Sequence, residues 1–122
     1  MEKRIDMTLP LSSECLVAAR LTAGAVCNIL GLDIEEADDV KLCVSEACNL
    51  IFAQHFGAAS IRFGFEKDLC VEIRGDQPSE GPDKEVDEDM SRLLLDTLSD
   101  RVDYAEEGGK LVRITLFKKA ER

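Results

Sequence analysis

Few side chains in this sequence are grouped so that they could do chemistry. His55 is the only histidine, so no charge relay can be built on it alone, and no serine or cysteine stands in a nucleophile-elbow setting such as G-x-S-x-G. The five cysteines, Cys15, Cys27, Cys43, Cys48 and Cys70, are an odd number without a C-x-x-C pair, and they read as small core residues rather than disulfide or zinc ligands. Gly108-Gly109-Lys110 falls in a hairpin turn rather than between a strand and a helix, which excludes a P-loop. What remains is a carboxylate and an amide three apart, Glu46 and Asn49, and a second carboxylate, Asp76, beside chain-breaking residues. Each also has an ordinary reading: Glu46 as a surface charge, Asp76 as a turn residue, His55 as a partner for the negative end of a helix.

The elements that must position these residues follow from periodicity. Ile5, Met7 and Leu9 alternate with polar neighbours and predict a strand stopped by Pro10. Ser12 and Ser13 can cap a helix whose stripe is Leu16, Ala19, Ala23, Val26 and Leu30, with Gly31 as its stop. Asp33 followed three residues later by Glu36 is a capping-box pattern, and Ala37, Val40, Val44, Ala47 and Ile51 carry a second helix that the pattern extends to Gly57. Glu46 and Asn49 lie on its flank. Ile61 to Phe65 and Leu69 to Arg74 predict a hairpin. From Gly75 to Asp89 the chain reads as a loop, with glycines, prolines and seven acidic residues opposed only by Lys84. Met90, Leu93, Leu94, Thr97 and Leu98 predict a short helix, Val102 to Ala105 and Leu111 to Phe117 a last hairpin around Glu107-Gly108-Gly109, and Lys118 to Arg122 a polar tail. Residues 1–122 therefore read as a single domain of the α+β class, a two-layer α/β sandwich with a mixed or antiparallel sheet and helices on one face.

Composition narrows the partners. With 15 Lys and Arg against 25 Asp and Glu the formal charge is −10, which disfavours nucleic acid and anionic membrane surfaces. No stretch has the length and apolarity of a membrane span, and the first residues lack the apolar segment of a signal peptide, so the expected location is cytoplasmic.

The run Arg20-Leu21-Thr22-Ala23-Gly24-Ala25-Val26, and above all the stretch Ile34 to Cys48 through Ser45-Glu46-Ala47-Cys48, resembles the bacterial anti-sigma-factor serine kinases of the GHKL (histidine-kinase-like) ATPase superfamily. The likeness continues through Ile61-Arg62-Phe63-Gly64, Leu94 to Leu98 and the last hairpin, and so covers nearly the whole chain. It implies a sandwich that holds ATP and Mg²⁺ between helices and sheet beneath a lid. Glu46 then matches a glutamate acting as base toward a serine of a partner protein. Asp76 matches an aspartate that receives the adenine amino group. The implied partners are a sigma factor or an anti-sigma antagonist, and the implied assembly is a homodimer.

The sequence departs from that pattern at the nucleotide. Four residues after Glu46, where the family places an asparagine on Mg²⁺, stands Leu50, whose side chain has no lone pair to offer. Asn49 lies one residue earlier, about 100° around the helix, and serves as metal ligand only through a local overwind or a shifted ion. In the family's Asp-x-Gly-x-Gly segment, here Asp76-Gln77-Pro78-Ser79-Glu80, proline and glutamate replace the glycines. The Gly-x-Gly that would wrap phosphates at a helix start is Asp89-Met90-Ser91, with Asp89 as the expected cap. These residues predict a regulator that works by binding protein, with serine/threonine kinase activity weak or lost; the alternative is an active kinase using Glu46, Asn49 and Asp76.

Overall fold

The helix caps read from the sequence are in place. In a computed structural model that describes residues 2–83 and 85–120, Ser12 Oγ accepts from Cys15 N at 3.3 Å at the start of α1, Ser13–Ile29. Asp33 Oδ1 accepts from Glu36 N at 2.8 Å while Glu36 Oε1 accepts from Asp33 N at 3.2 Å, completing the capping box of α2, Ile34–Ala53. Around the helices run β1, Arg4–Pro10; β2, Phe56–Gly64; β3, Leu69–Pro78; β4, Arg101–Glu107; and β5, Lys110–Lys118, with α3, Glu88–Leu98, between β3 and β4. Lys84 of the acidic loop, and Glu121 and Arg122 of the expected tail, lie outside the described residues.

The five strands form one sheet in the order β1-β2-β3-β5-β4, every neighbouring pair antiparallel. This is the expected α+β sandwich, with the antiparallel alternative realised. Register sets its two faces. Ile5, Phe63, Val71, Leu116 and Val102 align across the sheet, as do Met7, Ile61, Ile73, Ile114 and Tyr104, and these rows meet the helices. The opposite face carries Asp6, Arg62, Glu72, Thr115 and Asp103 in one row and is left to solvent. Between the layers α2 buries Val40, Cys43, Val44, Ala47, Cys48, Leu50 and Ile51. At roughly 1.5–3 kcal/mol for each fully buried large apolar side chain, that stripe makes α2 the spine of the domain.

Several predicted boundaries move, each for a backbone reason. The second helix stops at Ala53, not Gly57, because His55 adopts a left-handed φ of 70° and turns the chain straight into β2. β2 therefore begins at Phe56, well before Ile61. β3 runs on past Arg74 to Pro78, pairing Asp76 with Ala58 and Pro78 with Phe56, so the predicted loop begins as strand from Gly75 to Pro78. Proline is tolerated there because it ends the ladder. The cap of α3 is Asp87 rather than Asp89: Asp87 Oδ1 accepts from Met90 N at 3.0 Å. Nor is the C-terminal segment a free tail, since Lys118 completes β5 and the Lys119 and Ala120 amides donate to Asp100 and Asp68.

Candidate functional site

Glu46 projects from α2 toward α3, and it is not free. Ser91, in the first turn of α3, donates its Oγ–H to Glu46 Oε2 at 2.7 Å. Ser91 is only 3% exposed and is the one buried polar residue among those described. Glu46 itself is half-buried. A short hydroxyl-to-carboxylate bond of this kind is stronger than a neutral one, which accounts for a buried serine being tolerated.

Further contacts from Gln54, His55 and Tyr104 fix the segments around it. Gln54, just past α2, donates from Nε2 to Glu88 Oε1 at 3.0 Å and accepts from Leu111 N at 3.2 Å, tying α3 and β5 to the end of α2. The ring Nδ1 of His55 lies 3.0 Å from the Glu80 carbonyl, and the His55 carbonyl accepts from Ser79 N at 2.7 Å, so His55 holds the segment after β3. On the far side Tyr104 donates to Asp96 Oδ1 at 3.0 Å and the Arg92 guanidinium lies 4.6 Å from the Tyr104 ring centre, bracing α3 on β4. Burial, reinforced by the Asp96 carboxylate, holds the Tyr104 phenol protonated far above its usual range.

Of the residues singled out from sequence, only Glu46 and Asn49 are neighbours. Asn49 is half-buried one turn along α2, where residues three apart face each other. Leu50, at the position expected for a metal ligand, is fully buried in the core. Asp76 is exposed on β3 and, by strand alternation, shares the helix-free face with Glu72 and Arg74, so the structure does not bring it to Glu46. On the helix side its neighbour Gly75 lies under the Phe56 ring, where an added Cβ would come within 2.3 Å of the ring carbons. Lys110 Nζ sits 4.1 Å from the centre of the same ring.

The electrostatics around α3 are negative. Asp87 caps it, Glu88 and Asp89 occupy its first turn, and Glu85 lies just before it. Such carboxylates suit the positive end of a helix but compete with any other anion for it. The thiols add no chemistry: all five cysteines are free, and burial pushes Cys27 up to about 11 and Cys48 up to about 12, which leaves them neutral packing groups. Among the described residues no three His, Cys, Asp or Glu side chains gather as a metal site, and no helix is long and apolar enough to cross a membrane.

Two residues of this edge, Gln54 and Ser91, had no assigned role in the sequence reading. Ser91 stood out only as the last of the three residues at a phosphate-wrapping position, and its tie to Glu46 joins residues 45 apart in the chain.

No family model matches the chain. It is similar over most of its length to curated proteins named serine-protein kinase RsbW: 28% identical to that of Halalkalibacterium halodurans, covering 93% of this chain and 82% of the relative, and 28% identical to that of Bacillus subtilis, covering 97% and 88%. The likeness to the RsbW of Bacillus velezensis is 27% over the same 97% and 88%. The chain is similar to the RsbW kinases along nearly its whole length.

The resemblance read from Arg20 to Cys48 is thereby borne out. The matches to the RsbW proteins extend over 133 and 140 aligned positions, more than the 122 residues of this chain, so these relatives carry residues that it lacks. Because the similarity spans 93% to 97% of the chain, it takes in the helices that present Glu46 and Ser91.

Proposed function

We propose that this protein is a regulator of the anti-sigma type that works by binding a sigma factor or an anti-sigma antagonist, and that its nucleotide crevice has decayed. The observation that carries the reading is the state of α2 beside Glu46: the position for a metal ligand is Leu50, with no exposed surface at all, and Glu46 already accepts a bond from Ser91. Mg²⁺ demands oxygen ligands in near-octahedral array, and beside Glu46 α2 offers only the Asn49 amide and the Ser45 hydroxyl, the latter already accepting from Arg20. The negative first turn of α3 opposes a triphosphate, Phe56 covers Gly75, and the missing length relative to the RsbW proteins fits a shortened lid. The donor set does not fit a magnesium nucleotide.

A second reading, an active ATP-dependent serine kinase, is favoured by the name of the relatives and by the presence of Glu46. It would use Glu46 as base, Asn49 on Mg²⁺ and Asp76 toward adenine, although Asp76 faces away from α2. Calorimetric titration of the whole chain with Mg-ATP and Mg-ADP separates the two. The regulatory reading expects no saturable heat at tens of micromolar nucleotide; micromolar binding overturns it. The cytoplasmic location and the homodimer belong to the same proposal. The large exposure of Leu21 and Ile34, 69% and 81%, gives two copies apolar surface to bury, and sedimentation of the purified chain tests the pairing.

A further inference from the structure

We infer that Ser91 stands, within the chain, where an incoming hydroxyl would stand against Glu46 Oε2, so that docking of α3 on α2 competes with access to that carboxylate oxygen. The inference deepens the reading above, since it takes Glu46 as the site's reactive or recognising carboxylate. A carboxylate that accepts a proton from a substrate hydroxyl must come within about 2.6–3.2 Å of it, and Ser91 Oγ occupies that range at 2.7 Å. The hydroxyl points at Oε2 from a residue with 3% exposure, so while α3 is seated an incoming hydroxyl must compete with Ser91 for that oxygen.

The seat is shallow, which is what a reversible latch requires. α3 buries only Ser91 and Leu95, against seven residues for α2, and its N-terminal half is otherwise attached through the Gln54 to Glu88 bond and the contact of Arg92 with the Tyr104 ring. Met90 and Leu93 on the same helix remain 51% and 58% exposed. A segment held by so few buried groups opens locally at a small fraction of the global unfolding free energy. Lifting its first turn breaks the Ser91 to Glu46 and Gln54 to Glu88 bonds and frees the carboxylate, leaving the sheet and α2 packed.

The test uses the whole chain and two readouts: labelling of Glu46 by carbodiimide and glycine ethyl ester, read by peptide mass spectrometry, and amide exchange across 88–98. Ser91→Ala is expected to raise Glu46 labelling at least about fivefold and to speed exchange in α3 by about tenfold, the loss of one charge-assisted hydrogen bond, while exchange at 59–63 and 71–73 stays within about twofold. Glu46→Gln keeps an acceptor oxygen and should leave α3 exchange near that of the parent. Glu46→Ala should match Ser91→Ala, and the double variant should be no faster than either single one. Unchanged labelling in Ser91→Ala, or additive effects in the double variant, overturns the latch. Neither readout involves nucleotide: flat labelling removes the latch and leaves the regulatory reading standing, whereas tight Mg-ADP binding removes that reading and leaves these outcomes as measured.

Discussion

α2 and α3 face each other across the candidate site but are held by different means. α2 is a 20-residue helix with a self-contained capping box and seven buried side chains spread along its length. α3 has 11 residues, two of them buried, and its first turn depends on Glu46 and Gln54 of another element. The comparison teaches that the carboxylate is carried by the most rigid helix of the domain while its cover is carried by the most weakly seated one. A rigid acceptor under a removable cover is how a site keeps its geometry and still changes its accessibility.

The sharpest way to break this comparison is in the spine. Leu50→Ala is expected to lower unfolding free energy by about 3 kcal/mol, within the range for deleting a fully buried leucine, and to accelerate exchange in every element together; urea denaturation followed by circular dichroism measures it. A loss below about 1 kcal/mol would mean that α2 is not the spine. Gly75→Ala drives a Cβ into the Phe56 ring at 2.3 Å, and relief by moving that ring should cost about 2 kcal/mol in the same assay.

The two caps sharpen the contrast further. Removing either acceptor, by Asp33→Ala or Asp87→Ala, should cost about 1 kcal/mol locally. The Asp33→Ala loss is expected in the global melt, because α2 cannot fray without the core. The Asp87→Ala loss is expected mainly as faster exchange across 88–98, with the global midpoint hardly moved. Equal global losses would remove the distinction between spine and cover.

Last comes an effect that vanishes at neutral pH, a pH dependence of the spine. Cys48 is raised from 9.0 to about 12 by burial, so the folded state keeps a proton that the unfolded chain releases. Its contribution is fully present below pH 9 and is lost as pH rises from about 9 toward 12. Stability should therefore fall over that window, and Cys48→Ala should flatten the slope by up to about 1.4 kcal/mol per pH unit.

Much of the fold was legible in the residues. Ser12, Asp33 and Glu36 cap where they were expected to, the stripe from Val40 to Ile51 is buried, and Gly108 and Gly109 take positive φ in the turn between β4 and β5. The element order follows from those local signals. The ends of β2 and β3 were not legible, because Phe56 to Ser60 and Gly75 to Pro78 lack a clean alternation and become strands only by pairing with each other. At the site, Glu46 and Asn49 could be placed on one helix from their spacing, whereas Asp76 could be placed next to a turn but not on a face until the register was known.

Sequence alone determined the presence of the helices, the caps of α1 and α2 and the apolar stripe that makes α2 the spine, since each of these depends on residues within one or two turns of one another. The tertiary structure decided that Ser91 closes on Glu46 and that Asp76 turns away from both. Those outcomes depend on how α3 docks and on a strand register that alternates faces with every residue, and contacts between residues tens of positions apart leave no period in the chain to read.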